Sequence, residues 1–131
     1  MEKKQAEEKL EKGAGLFNEG EIDKAITLFK SAIKLNKKLS SAYYNLALAY
    51  QKKGDIPQVT RYLEMVIKLK PDDYVSQNFL GHNYNLQNKI QKAILCFQKA
   101  LKVNPKMLEA LYNLGFCYMQ IEDSKKALYY L

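Results

Sequence analysis

Residues 74–107 read YVSQNFLGHNYNLQNKIQKAILCFQKALKVNPKM, and this stretch decides the fold because the chain repeats it. Stepping 34 residues back carries Gly81 to Ala47 and then to Gly13; stepping forward carries it to Gly115. Tyr84 falls likewise on Tyr50 and Tyr118, Ala93 on Ala25 and Ala127, and Pro105 on Pro71. A fixed period of this length marks a stack of supersecondary units, each burying its apolar face against the next. The frame gives repeats at 6–39, 40–73 and 74–107 and a partial one at 108–131, all in a single domain.

Within each repeat the apolar residues recur at threes and fours, the spacing of one helix face. Ile22, Ala25, Ile26, Phe29, Ala32 and Ile33 form one such stripe. Gly20 and Gly54 stop helices, and Pro71 and Pro105 close them. Ser40, Asp55, either Asp72 or Asp73, and Asp123 are placed to cap the helices that follow, with Pro57 in a first turn where a missing N–H costs little. This punctuation predicts eight helices of about 14 residues in pairs. The last begins at Asp123, and a helix so short is marginal unless something covers Ala127, Leu128 and Leu131. A fragment of a longer repeat protein, or an array that ends by pairing with another chain, is therefore expected. Short connections make neighbouring helices antiparallel, and no segment shows the alternation of a half-buried strand.

The residues that recur resemble those of the tetratricopeptide repeat family: Leu80-Gly81, Tyr84, Ala93, Phe97, Ala100 and Pro105, with their counterparts in the other repeats. The resemblance covers nearly the whole chain. It implies an all-α right-handed superhelix, an α-solenoid of antiparallel helix pairs, acting as a non-catalytic protein-interaction scaffold. Small residues would face each other at the crossings, Gly13 against Ala25, Gly81 against Ala93 and Gly115 against Ala127. The second repeat, with Ala47, Val59 and Val66, would cross slightly wider. Tyr50, Tyr84, Tyr118, Phe29 and Phe97 would be core.

The resemblance also places the first helix of each pair on a concave face. Its groove residues are then Leu10, Ala14 and Phe17; Tyr44, Asn45, Leu48 and Lys52; Asn78, Phe79, His82 and Asn85; and Tyr112, Asn113, Phe116 and Met119. Aromatic and Met side chains facing a cleft suit an extended or helical peptide segment. Asn45, Asn78 and Asn113 carry both donor and acceptor for its backbone. One subgroup of the family clamps the terminal carboxylate of chaperone tails with Lys, Asn and Arg. Here only Asn45 has a counterpart; Leu10, Ala14, Val75 and Phe79 stand where the remaining groups would be, so such a clamp is not expected.

The composition closes off other classes. Apolar residues make up 47% of the chain, enough for a folded protein. No apolar run reaches the roughly 20 residues of a membrane span, and MEKKQAEEKLEK is no signal peptide, so a cytoplasmic location is the default. Cys96 and Cys117 read as buried thiols. His82 is the lone histidine, and the sequence holds no metal, nucleotide or triad motif, so neither an enzyme nor a cofactor is expected. The net charge is +7, and lysines recur on the second helices and in turns: Lys34, Lys68 and Lys102 are one repeat apart, with Lys30, Lys37, Lys99 and Lys106 nearby. On the convex side these mostly read as a solvated face, and RNA or another anionic partner is the alternative use; nucleic acid is the less favoured partner.

Overall fold

The structure is a computed structural model that describes the backbone of residues 1–130 and the side chains of residues 1–125. It is all-α, with helices α1 (Glu2–Asn18), α2 (Ile22–Leu35), α3 (Ser40–Lys53), α4 (Ile56–Leu69), α5 (Tyr74–Leu86), α6 (Ile90–Val103) and α7 (Leu108–Tyr130). The chain divides into two compact units, Met1–Pro71 and Asp72–Leu131, the first holding α1–α4 and the second α5–α7.

In the first unit α1 packs on α2 and α3 on α4, with α2 joining the two hairpins. The stripes that face inward are Ala25, Ile26, Phe29 and Ala32 on α2 and Val59, Tyr62, Leu63 and Val66 on α4. Ala6, Ala32 and Ala42 form a closely packed cluster under Leu10, Ile33, Leu35 and Leu39. In the second unit α6 contributes Ala93, Ile94 and Phe97, which meet Cys117 of α7 under Tyr84, Ile90, Leu114 and Ile121. Phe29 and Phe97 are both fully enclosed, and truncating such a ring to alanine costs about 3–5 kcal/mol.

The caps follow the chemistry of their residues. Asp55 accepts a hydrogen bond from the Gln58 amide at 3.2 Å, and Asp73, not Asp72, accepts one from the Ser76 amide at 3.1 Å. Ser40 does not cap: it is the first residue of α3 and is buried, and Leu39 precedes the helix without a side-chain cap. Between the helices of each pair one residue turns left-handed: Gly20 (φ 85°), Gly54 (φ 73°) and Asn88 (φ 60°). Glycine adopts this conformation without a steric cost, and asparagine tolerates it better than most residues.

Those three turn residues stand one repeat apart, and the next place in the frame is Glu122. Glutamate is a good helix former and has no ease in the left-handed region. Helix α7 runs straight through it to Tyr130. Among the described residues the expected break before Asp123 is therefore absent, and seven helices stand where eight were expected. Ala127, Leu128 and Leu131, expected to be uncovered on the eighth helix, lie outside the described side chains.

The crossings are set by rings as much as by small residues. A Cβ built on Gly13 would lie 2.6 Å from the Phe29 ring, and one built on Gly81 would lie 2.6 Å from the Phe97 ring. At Gly115 an added Cβ meets nothing among the described residues, and its expected partner Ala127 lies outside the described side chains. Tyr118, expected in the core, is 49% exposed, because α7 continues past Glu122 instead of turning back over it. Its hydroxyl accepts a hydrogen bond from Gln98 Nε2 at 3.2 Å. Both cysteines are buried, and burial pushes the Cys117 thiol up from its ordinary pKa.

Candidate functional site

The residues expected to line a groove fall on the first helices of the pairs, and each unit carries some of them. In the first unit α1 and α3 bring Phe17, Asn45 and Leu48 together around a pocket of about 150 Å³, completed by Ala14, Asn18 and Phe29. A cavity of this size accommodates one ring-sized apolar group. Its walls are apolar, while Asn18 and Asn45 supply amides for hydrogen bonds. Asn18 is absent from the sequence-derived set, although it shares the Ala14–Phe17 face by helical spacing and was legible there. Tyr44 is half-buried beside the pocket-lining Asn45 in sequence, and Lys52 is exposed one turn beyond Leu48; neither lines the pocket.

In the second unit α5 and α7 are in contact, and one polar pair links them. Asn113 Nδ2 donates to Asn78 Oδ1 at 3.2 Å. Asn78 is only 4% exposed, so its oxygen serves the protein and not an incoming backbone. This corrects the reading of Asn78 as a rung open to a peptide. Asn113 remains half-buried. His82 is exposed and Phe79 half-buried on α5, and Asn85 keeps a buried Oδ1 without a hydrogen-bond partner. On α7, Tyr112 is 73% exposed, Phe116 45% and Met119 64%. Three large apolar side chains in one helix face this open to solvent are unusual for a surface with no partner.

Among the described residues no group of three or more His, Cys, Asp or Glu is placed to hold a metal ion. Among the described residues no helix is long and apolar enough to cross a membrane.

Comparison with known proteins matches this architecture. Family profiles described as TPR repeat match residues 13–54 and 81–121, and one described as Tetratricopeptide repeat matches residues 40–73. Hsp70-Hsp90 organizing protein 3 of Arabidopsis thaliana is 32% identical over 92% of this chain, and Hsp70-Hsp90 organizing protein of Triticum aestivum is 29% identical over 94%. The chain spans about a fifth of the length of these relatives, 22% and 21% respectively. A solved structure described as the first TPR of Spaghetti (RPAP3) bound to HSP90 peptide SRMEEVD superposes with a TM-score of 0.85. It shares 18% identity over 91% of this chain and 94% of that one, a likeness of fold.

Proposed function

We propose that this chain, which belongs to the tetratricopeptide repeat family, is a non-catalytic scaffold that binds a peptide segment on the faces of its first helices. The observation that carries this reading is the pocket in the first unit, where Phe17, Asn45 and Leu48 enclose space for one apolar side chain. Asn18 and Asn45 at the same pocket would hold the backbone on either side of that anchor. In the second unit Tyr112, Phe116 and Met119 would supply the apolar contacts, with Asn113 fixed by its bond to Asn78. Tyr44, Lys52, Phe79, His82 and Asn85 would set the sequence preference.

Selection of peptides from a random display library, followed by calorimetry with Leu48→Glu and Phe116→Ala, tests the reading. Both substitutions are at partly exposed positions, and each should weaken a selected peptide about tenfold or more. Peptides that bind both variants as tightly as the wild type would sink it. The peptide SRMEEVD, bound by the structural neighbour, serves as the negative probe. Leu10, Ala14, Val75 and Phe79 leave no cations for its carboxylates in the matching places, so it should bind no better than a scrambled peptide.

A second reading rests on α7. Leu108, Leu111, Tyr112, Phe116, Tyr118 and Met119 are all exposed on that helix, and a cleft of about 620 Å³ opens beside it, lined by Ile94, Leu95, Tyr118 and Ile121. Self-association would cover this surface with a second copy. Light scattering over a concentration series should then show a dimer that Leu111→Glu abolishes; a monomer at every concentration discards this reading.

A further inference from the structure

A basic cleft in the first unit lies away from the peptide pocket. A cleft of about 630 Å³ opens between α2 and α4 over Tyr43, lined by Lys30, Ile33, Arg61, Tyr62, Met65 and Lys68 together with Glu64. Three cations therefore face one carboxylate, around an apolar floor. Its volume is in the range of sites that hold an organic group rather than a lone ion. Lys30 Nζ sits 5.7 Å from the centre of the Tyr50 ring, and its bond to that tyrosine holds the ammonium above its ordinary pKa. It stays charged at any physiological pH.

The aromatic groups decide between two kinds of anionic partner. Single-stranded nucleic acid is held by bases stacked on open rings. Here Tyr62 is buried, stacked on Tyr50 at 5.6 Å with 7° between the rings, flanked by Tyr43 at 6.4 Å and covered by the Arg61 guanidinium at 5.4 Å. Tyr43 is also buried, and its hydroxyl donates to the Lys37 carbonyl at 2.9 Å. Neither ring offers a face to a base. What remains accessible is positive charge beside the side chains of Ile33 and Met65, both partly exposed.

We propose that this cleft docks an acidic protein segment, whose carboxylates pair with Lys30, Arg61 and Lys68 around one apolar side chain seated on Ile33 and Met65. Arg61 gives the site a planar fork that matches a carboxylate, and the two lysines add charge at its ends. The site is independent of the pocket between α1 and α3, so a partner bound there leaves this cleft open to a second segment.

The test is fluorescence anisotropy of a labelled nine-residue peptide, four glutamates on each side of one leucine, titrated with the full chain. Wild type should bind, and Arg61→Glu/Lys68→Glu should weaken binding about tenfold or more. Glu64→Gln should tighten it about threefold by removing the one opposing charge. Circular dichroism establishes that each variant is folded. Lys102→Glu/Lys106→Glu makes the same change of net charge in the second unit, on exposed residues, and should leave the affinity near that of wild type. Absence of saturable binding by wild type overturns the proposal, as does an equal loss in both charge-reversal variants. Displacement of the peptide by inorganic phosphate or by a uridine oligonucleotide at lower concentration than unlabelled peptide overturns it in favour of a simple anion or RNA.

Discussion

Gly81 faces the ring of Phe97 so closely that a methyl group on the glycine would lie 2.6 Å from Cε1. The ring is enclosed and cannot swing aside. Gly81→Ala should gain about 1 kcal/mol of helix propensity and lose more to overpacking, about 1–3 kcal/mol. The net expectation is destabilisation by about 1 kcal/mol, read from the urea midpoint, and Gly13→Ala beside Phe29 should behave alike. At Gly115, the same place in the frame, a Cβ meets nothing among the described residues, so Gly115→Ala should stabilise by about 0.5–1 kcal/mol. The second repeat suggests the rescue: it carries Ala47 with Leu63 where the first and third carry glycine with phenylalanine, and both are fully buried. Phe97→Leu should therefore recover part of the loss in Gly81→Ala, a coupling that additive effects would exclude.

The bond from Asn113 to Asn78 gives the second prediction. Asn113→Ala leaves a buried carboxamide oxygen without its donor, at a cost of about 1–3 kcal/mol. Removing both amides should cost less than the sum of the single losses. If Asn113→Ala leaves stability unchanged, the amide is free for a partner and the pair has no structural part.

How far this was legible in the sequence depends on which distances an argument needed. The helix pairs follow from a 34-residue frame, and so does the face holding Phe17, Asn45 and Leu48, because periodicity fixes which side of a helix a residue occupies. Asn78 shows the limit. Its place on the groove side of the frame was readable, but its burial depends on a side chain 35 residues on, across two helices. The basic cleft needed the same kind of knowledge, since Lys30, Tyr43 and Arg61 come from three helices. The lysine spacing showed a stripe without showing that α2 and α4 open around it.

Tyr43 and Lys30 contribute to the alkaline limit of the first unit. Burial raises the Tyr43 pKa above 10.0, and the bond to Tyr50 raises that of Lys30 above 10.5. For both groups the folded state holds the proton more tightly. Their contribution is complete below the unfolded values and is lost as pH rises through the folded ones. Urea midpoints should be flat from pH 7 to about pH 8, begin to fall near pH 9 as the buried Cys117 thiol adds its share, and fall further above about pH 10. Tyr43→Phe should lower stability at pH 7 by about 1 kcal/mol, through the lost bond to the Lys37 carbonyl, and make the alkaline fall shallower.

Glu122 decides whether the fourth repeat can turn. Gly20, Gly54 and Asn88 each take a positive φ at that place in the frame, whereas α7 passes through Glu122 as helix. A left-handed residue costs a non-glycine side chain about 1–2 kcal/mol, and a mid-helix glycine is worse than glutamate by up to about 1 kcal/mol. Glu122→Gly moves both terms toward the turn. The ¹³Cα shift at position 122 should leave the helical range, while those of Leu114 to Met119 stay within it. The sign of Gly115→Ala supplies a second readout. It is stabilising while α7 runs straight, and should become neutral or destabilising in the Glu122→Gly background, where the following segment can fold back against the glycine. Helical shifts persisting across 119–125 in that variant would mean that something other than the missing turn residue keeps α7 continuous.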